Sequence, residues 1–509
     1  MESFTLSYYS ATSMEIPSLS QGIEQFTEMG NRVRVHAKTQ IQLFDESRIQ
    51  SFVDHSIKSD IIIITLHGGK ASCPAIGPLI KALDNLKAKN NKPPFFHIQP
   101  TGGDEDALDL AREHSTKFGT RIWDKINAYL KHGGHINFKN LLCYIQGQLF
   151  DVEPAQLEEP LPLPHEGIYH PDFLNLPEIE EYCREKVLKD RLTIGLWFNQ
   201  SYWVNNNLKF INALIRTTEK MGINIIPVFH LRYKDKVLGN HGADYIAEHF
   251  FMKSGKAIID VLLNPMMFSL NLADKDYRKI YPDLNVPVIQ AMTTMQPYES
   301  WKESIQGMNT MEVSYAAAQP EFDGALITVP VSSREQSETD PLTGALIARN
   351  MPIPERVEQV VNIALNWARL SKKENKNKKI AIIFHHYPPR NDRIGCAAGL
   401  DSFESVKQLT DKLKEQGYVV EKTYENGDEL AHEIVGGMTC DQRGLLPEQM
   451  AEQSAAHAGR EDFIPWHEKL PDKIKEKQVS DWGASPGDLF VHNDELLFSG
   501  VKNGNLFIT

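Results

Sequence analysis

The stretch FHHYPPRNDRIGCAAGLDS at residues 384–402 brings together side chains that can transfer protons and bind acids. Its ionisable and amide side chains are His385, His386, Arg390, Asn391, Asp392 and Arg393. Either histidine can act as a base near neutral pH. Each arginine can donate two parallel hydrogen bonds to a carboxylate, and the neighbouring aspartate and asparagine can orient it. The pattern predicts a site for a ligand that carries carboxylates.

Two features of this stretch predict a fixed backbone. Pro388 and Pro389 favour an extended chain and remove two N–H donors. Asp401, with Glu404 three residues later, is typical of a helix N-cap, so the amide end of a helix should face the loop and could hold an anion. A structural alternative stays open, in which the charged side chains form an internal salt-bridge network and the histidines are ordinary packing residues.

The loop needs a strand before it and a helix after it. Residues 379–384 read as a buried strand, 403–416 as an amphipathic helix ended by Gly417, and 418–423 as a second strand. Ligands of parallel α/β sheets bind beyond the carboxyl ends of such strands. Two earlier copies of the same order lie at residues 60–98 and 192–229. We predict a multi-domain α/β protein of repeated parallel units with flavodoxin-like or Rossmann-like winding.

Length and linker composition predict several domains. A chain of 509 residues is too long for one hydrophobic core. The proline-rich residues 153–164 predict an extended linker, and the polar residues 371–379 a solvated connector. The predicted domains are 1–160, 161–375 and 376–509, each α/β, with the third incomplete at its C-terminal end.

Composition excludes several classes of function. The chain has 54 basic and 67 acidic residues and a formal net charge of −13, which argues against nucleic-acid binding. No apolar run approaches the roughly 20 residues of a membrane span, and no secretory signal is visible, so we expect a cytoplasmic protein. The five cysteines form no C-x-x-C pair, and no phosphate-binding glycine motif occurs. Nucleotide hydrolysis is therefore expected to belong to a partner.

Four stretches resemble the large subunits of cobaltochelatase and magnesium chelatase. The longest is YPPRNDRIG with AAGLD, at residues 387–395 and 397–401. The others are ESW at 299–301 with Ser304 and Gly307, PEFDG at 320–324, and DWGASPG at 481–487 with GNLFI at 504–508. The resemblance covers residues 192–509, whereas residues 1–160 agree only in general α/β character.

This resemblance implies a ligase-class machine that inserts a divalent metal into a corrin or porphyrin ring in cobalamin-type or chlorophyll-type biosynthesis. In such a machine the tetrapyrrole is held by the large subunit, and cobalt or magnesium is the substrate ion. ATP is hydrolysed by partners: an AAA+ ATPase and a second small subunit. Family members are more than twice as long as this chain. A separate chain supplying the C-terminal half is therefore a further expected partner, without which we expect no activity.

Within that family, the loop residues acquire roles. Arg390 and Arg393 would hold the ring's acid arms, with Asp392 orienting them, and Asn391 is counted with these three as substrate-binding. His385 or His386 would be the base. We assign no metal ligand and no tightly bound cofactor to this chain. The alternative is a stand-alone tetrapyrrole carrier or sensor without chelatase activity.

Overall fold

The structure is a computed structural model that describes residues 3–101, 105–150, 158–231, 234, 239–273, 280–441, 443 and 445–509. Contacts divide the chain into two compact units, Met1–Arg369 and Leu370–Thr509. The division into three domains stays a prediction. Within the described ranges, no helix is both long and apolar enough to cross a membrane. The predicted α/β class with parallel sheets is confirmed.

The first unit begins with a parallel four-stranded sheet. Its strands are β1 (Phe4–Ser10), β2 (Val33–Thr39), β3 (Ile61–His67) and β4 (Phe95–Thr101), in the order β2-β1-β3-β4. Its helices are α1 (Ile16–Glu28), α2 (Glu46–Ser56), α3 (Ile76–Ala88), α4 (Glu105–His114), α5 (Arg121–His132) and α6 (Gly134–Phe150). The predicted strand–helix–strand unit at residues 60–98 is thus confirmed as β3-α3-β4.

Strand β3 shows why this sheet is buried on both faces. Ile61 and Ile63 pack into a core shared with α1 and α6, whereas Ile62 and Ile64 face a second core beneath α2 and α3. All four side chains are fully buried. Alternate residues of a strand point to opposite faces, so a continuous apolar run is what a sheet covered on both sides requires.

The second half of the first unit contains the remaining parallel sheet. The strands are β5 (Glu166–Ile168), β6 (Thr193–Asn199), β7 (Asn224–His230), β8 (Met252–Lys253), β9 (Lys256–Ala257), β10 (Val261–Asn264), β11 (Val288–Gln290), β12 (Leu326–Ile327), β13 (Ser332–Thr339) and β14 (Leu346–Pro352). The helices are α7 (Ile179–Lys186), α8 (Gln200–Val204), α9 (Lys209–Lys220), α10 (Ala243–Ile246), α11 (Leu270–Ala273), α12 (Ile280–Leu284), α13 (Tyr298–Glu303), α14 (Thr310–Val313), α15 (Gln319–Phe322) and α16 (Pro354–Lys372).

Six of these strands form a sheet in the order β12-β11-β10-β6-β7-β5, in which β5 alone runs antiparallel to its neighbour. The predicted unit at residues 192–229 is confirmed as β6-α9-β7. Gly222 ends α9 with φ +75°, as predicted. Strands β13 and β14 form a separate antiparallel hairpin. Of the predicted linker, residues 153–157 lie outside the described ranges, and residues 158–164 contain no helix or strand.

The second unit has two small sheets. Its strands are β15 (Ile380–Ile382), β16 (Ala456–Ala458), β17 (Val491–His492), β18 (Glu495–Phe498), β19 (Val501–Asn503) and β20 (Leu506–Ile508). Its helices are α17 (Ser402–Glu415), α18 (Gly427–Gly436), α19 (Pro447–Glu452), α20 (Arg460–His467) and α21 (Asp472–Trp482). One sheet has the order β15-β20-β19, with β15 and β20 parallel, and the other is the antiparallel β16-β18-β17.

The predicted strand at residues 418–423 is wrong. These residues form no strand, and the parallel neighbour of β15 is β20. The amide of Asn503 explains the difference, since its Oδ1 accepts from the backbone N–H groups of Glu421 and Lys422 and its Nδ2 donates to the Lys422 carbonyl. A side chain thus replaces a sheet ladder as the partner of this backbone. The third copy therefore matches the second only in its first strand and helix.

Candidate functional site

The loop at residues 383–401 follows β15 and precedes α17, as predicted. Phe384 is buried and packs on Phe403 of α17, with ring centroids 4.7 Å apart. Beyond Phe384 most of the loop is exposed, and Tyr387 exposes 76% of its surface. The apolar end of β15 thus anchors the loop while its polar residues face outward.

The backbone closes the loop back onto its start. The Gly395 amide donates to the His385 carbonyl at 2.8 Å, and His386 forms an antiparallel bridge with Ile394. Gly395 has φ +68°, and a Cβ there would lie 3.1 Å from the Phe384 ring. A larger residue would be strained in both respects. The Tyr387–Pro388 peptide bond at the tip is cis.

Arg390 makes a bidentate ion pair with Asp392. Its Nε and Nη2 donate to the two carboxylate oxygens at 2.8 Å and 2.7 Å, and both side chains are about half exposed. These bonds hold the pKa of Asp392 below its usual range. The pair lies at the surface, so Arg390 is neither buried in a closed network nor fully available to a ligand.

Arg393 differs from Arg390. It is exposed, and among the residues that the structure describes it forms no ion pair. The two histidines also differ: His386 Nε2 lies 3.0 Å from the Arg390 carbonyl and donates to it, whereas the His385 side chain is exposed. Arg393 and His385 are therefore the two predicted side chains best placed to meet a ligand.

Asn391 ties the loop to a segment that the sequence did not point to. Its Oδ1 accepts from the Thr439 hydroxyl at 2.6 Å, and its backbone N–H donates to Asp441 at 3.1 Å. Asp441 in turn pairs with Arg443, which lowers the pKa of Asp441. Asn391 thus positions the loop. No local signal relates residues 439–443 to a loop about fifty positions earlier.

The predicted N-cap of α17 is observed. Asp401 accepts from the backbone N–H of Glu404 at 2.9 Å. Glu404 does not complete a capping box; its carboxylate accepts from the Gly427 amide at 2.7 Å and so links α17 to α18. The helix start is thus fixed beside the loop.

The PEFDG stretch has a structural role for its aspartate. Asp323 is 7% exposed and accepts from the Ser269 hydroxyl and from the amides of Leu270 and Asn271, at 2.6–3.1 Å. These bonds satisfy the first turn of α11. Glu312 is a similar buried hub that the sequence did not reveal, since it accepts from Thr294, Gln296 and two backbone amides.

One group of side chains in the described residues has metal-ligand chemistry: His170, Asp172 and Glu219. Lys186 and Arg216 already pair with both carboxylates. The hydrogen bonds from Arg216 lower the pKa of Asp172, and burial lowers the pKa of His170. Two cations therefore neutralise the group without a metal, and we read it as an ion-pair network that joins residues 170–172 to α7 and α9.

A cavity of about 480 Å³ lies in the first unit, between α10, the β8–β9 turn and α12. Its charged lining residues are Asp244, Glu248 and Asp283, all acidic. Such a lining repels carboxylates. The cavity is therefore a poor site for a ring with acid arms.

Comparisons with known proteins agree with the motifs. The family model described as CobN/Magnesium Chelatase matches residues 127–509. An uncharacterized protein of Methanocaldococcus jannaschii is 37% identical over 396 residues, which cover 76% of this chain and 32% of the relative. CobN of the aerobic cobaltochelatase of Pseudomonas aeruginosa is 24% identical over 479 residues, covering 92% of this chain and 36% of that protein.

Two further comparisons involve a magnesium chelatase and a solved structure. A magnesium-chelatase component of Chlorobaculum parvum is 24% identical over 404 residues, covering 76% of this chain and 29% of that protein. The catalytic subunit of cobaltochelatase from Mycobacterium tuberculosis shares the fold, with a TM-score of 0.58 and 20% identity over 99% of this chain and 38% of that one.

The chain spans about a third of the length of the curated relatives it matches. The family model covers most of its residues, including the two-proline loop and the ESW and PEFDG stretches. This chain belongs to the CobN/Magnesium Chelatase family.

Proposed function

We propose that this chain is part of the tetrapyrrole-binding large subunit of an ATP-dependent cobalt or magnesium chelatase. Family membership supports a metal-chelatase role. The observation that carries the proposal is the exposed loop at residues 383–401, which presents cationic and imidazole side chains on a backbone closed by its own hydrogen bonds. The choice of cobalt or magnesium, and of corrin or porphyrin, stays open within the proposal.

The loop would bind the ring through its acid arms. Arg393, which has no ion pair among the described residues, would donate hydrogen bonds directly to one carboxylate. Arg390 would share its guanidinium between Asp392 and a second carboxylate, because one nitrogen, Nη1, does not bond to Asp392. Asn391, bonded to Thr439, would hold the two arginines in register.

Metal insertion exchanges two ring protons for one divalent ion. A base must accept each pyrrole proton, and the ion must lose its water. His385 is the better candidate base, because its side chain is exposed while His386 Nε2 donates to the Arg390 carbonyl. In the present proposal the cobalt or magnesium ion is the substrate, and none of the described residues is assigned to hold it.

Partners complete the proposed machine. ATP would be hydrolysed by an AAA+ ATPase acting with a second small subunit, and a separate chain would supply the part of the relatives beyond this match. A cytoplasmic location is also part of the proposal. It is supported by the five free thiols, which suit a reducing compartment.

Reconstitution tests the proposal. The chain is combined with the two partner subunits, a chain covering the rest of a relative, ATP, and a metal-free porphyrin or corrin. We expect metal insertion, followed by absorbance, that requires both ATP and this chain. Saturable ring binding without ATP-dependent insertion would instead select a carrier or sensor. Insertion at the same rate without this chain would contradict the proposal.

A further inference from the structure

The first sheet has a topological switch point at its carboxyl edge. Because the order is β2-β1-β3-β4, the chain adds β2 on one side of β1 and β3 on the other. Helix α1, which follows β1, packs on one face, and α3, which follows β3, packs on the opposite face. The loops that leave β1 and β3 therefore diverge, and α/β sheets bind ligands in the crevice this opens.

The second sheet has an equivalent point between β6 and β10. Strand β7 joins one side of β6 and β10 the other. Tyr202 lies on α8, directly after β6. Tyr202 thus marks the carboxyl edge of this sheet.

Arg334 of β13 joins the two edges. Its Nη2 donates to the Thr12 carbonyl and lies 3.4 Å from the Ser13 hydroxyl, both in the loop after β1. Its backbone N–H donates to the Gln296 carbonyl at 3.0 Å, in the segment that follows β11 of the second sheet. Arg334 therefore contacts the switch-point loop of the first sheet through its guanidinium and the carboxyl edge of the second sheet through its backbone.

This guanidinium is incompletely satisfied. Its Nε is buried and meets no acceptor in the described ranges. Glu15 does not supply one, because its carboxylate is held by the hydroxyls of Thr65, Tyr8 and Thr12, at 2.8–3.4 Å. The structure describes both Glu15 and Arg334, and no carboxylate oxygen of Glu15 lies within 4.0 Å of a guanidinium nitrogen of Arg334. A buried hydrogen-bond donor without an acceptor is unfavourable, and a bound oxyanion would supply the acceptor.

We propose that the first unit binds a small molecule through an oxyanion, a carboxylate or a phosphate, at Arg334 between the carboxyl edges of its two parallel sheets. The Nε–H group donates to the anion, and the Ser13 hydroxyl, 3.4 Å from Nη2, lies close enough to contribute to binding the rest of the ligand. This site is distinct from the loop at residues 383–401 and goes beyond the proposed function.

Thermal unfolding and calorimetric titration of the whole chain test the site, with inorganic phosphate and citrate, a small tricarboxylate, as probes. We expect at least one probe to raise the melting temperature, and Arg334→Gln to weaken its binding about ten- to a hundredfold. Arg334→Lys, which keeps the charge without the planar fork, should give an intermediate loss and serves if Arg334→Gln does not fold. Arg349→Gln, on the same hairpin and paired with Glu338, should change nothing.

Glu15→Gln separates ligand binding from a purely structural role. Removing a negative charge near the site should tighten anion binding, whereas a purely structural role of Arg334 would leave the anion affinity unchanged. Binding of phosphate but not of citrate identifies a phosphate ligand, and binding of citrate but not of phosphate identifies a carboxylate ligand. Absence of any probe effect on the wild-type chain, or an unchanged effect in folded Arg334→Gln, overturns the proposal. So does loss of the effect in Arg390→Ala/Arg393→Ala, since that loss would place binding in the second unit.

Discussion

Two arginines of one loop have different charge environments although they lie three residues apart. Arg390 is paired with Asp392, and Arg393 is exposed without an ion pair in the described residues. Sequence motifs cannot distinguish them, because both belong to the same RNDR run. At the residue scale, Asp392 therefore controls how much positive charge the loop offers.

Removing the negative charge of Asp392 should strengthen ring binding. Asp392→Asn takes away the carboxylate that competes for Arg390, so we expect uroporphyrin affinity to rise about two- to fivefold, while Arg393→Ala lowers it. Fluorescence titration measures both. Asp472→Asn, which breaks a comparable exposed pair with Lys475, is the matched control. Weaker binding by folded Asp392→Asn would show that Asp392 contacts or orients the ligand instead.

A buried histidine makes the first unit sensitive to acid. His97 is fully buried on β4, its Nε2 lies 3.0 Å from Gln99 Oε1, and burial lowers its pKa from 6.5 to about 4. The folded state thus favours neutral His97. Its contribution is fully present above pH 6.5 and is lost as the pH falls towards 4, on the order of 3 kcal/mol in the free energy of unfolding.

His97→Gln should make the free energy of unfolding less dependent on pH between 6.5 and 4. Denaturant unfolding at several pH values is the measurement, with wild-type stability falling more steeply between pH 6.5 and 4 than that of the variant. His432→Gln, on α18 of the second unit, is the control. Equal slopes for wild type and His97→Gln would contradict the assignment.

At the scale of elements, Asp323 of the PEFDG stretch caps the start of helix α11. Asp323→Ala removes three hydrogen bonds to the start of α11 and should lower the free energy of unfolding by about 1–2 kcal/mol. Glu321→Ala, two residues earlier and exposed, should be nearly neutral. Urea denaturation compares them. Equal effects of the two changes would argue against a capping role for Asp323.

Local signals predicted the elements that depend on neighbours in sequence. The sequence correctly predicts the apolar run of β3, the Asp401 N-cap and the helix end at Gly222. Each of these features depends on residues that are close together in the sequence. The strand prediction for residues 418–423 is wrong although their apolar alternation suits a strand. Their backbone instead bonds to the side chain of Asn503, some eighty positions later in the sequence. The contact of Arg334 with Thr12 spans 322 positions and has no local signal.

At the scale of the whole molecule, family membership and mechanism have different support. The solved cobaltochelatase structure shares its fold with nearly the whole chain, and the family model matches most of the chain. The chain, however, spans only about a third of the length of its curated relatives. Catalysis is therefore expected only in an assembly. We expect the proposed ring binding by the loop at residues 383–401 to need no partner, so it can be tested with this chain alone.

Quenching of tryptophan fluorescence on titration with uroporphyrin tests that claim most directly. We expect saturable quenching by the wild-type chain, weakened in Arg390→Ala/Arg393→Ala by about 1–3 kcal/mol per lost charged hydrogen bond. Lys412→Ala/Lys414→Ala removes the same charge from α17 and should bind like wild type. Absence of quenching, or unchanged affinity in the folded double arginine variant, would contradict the account.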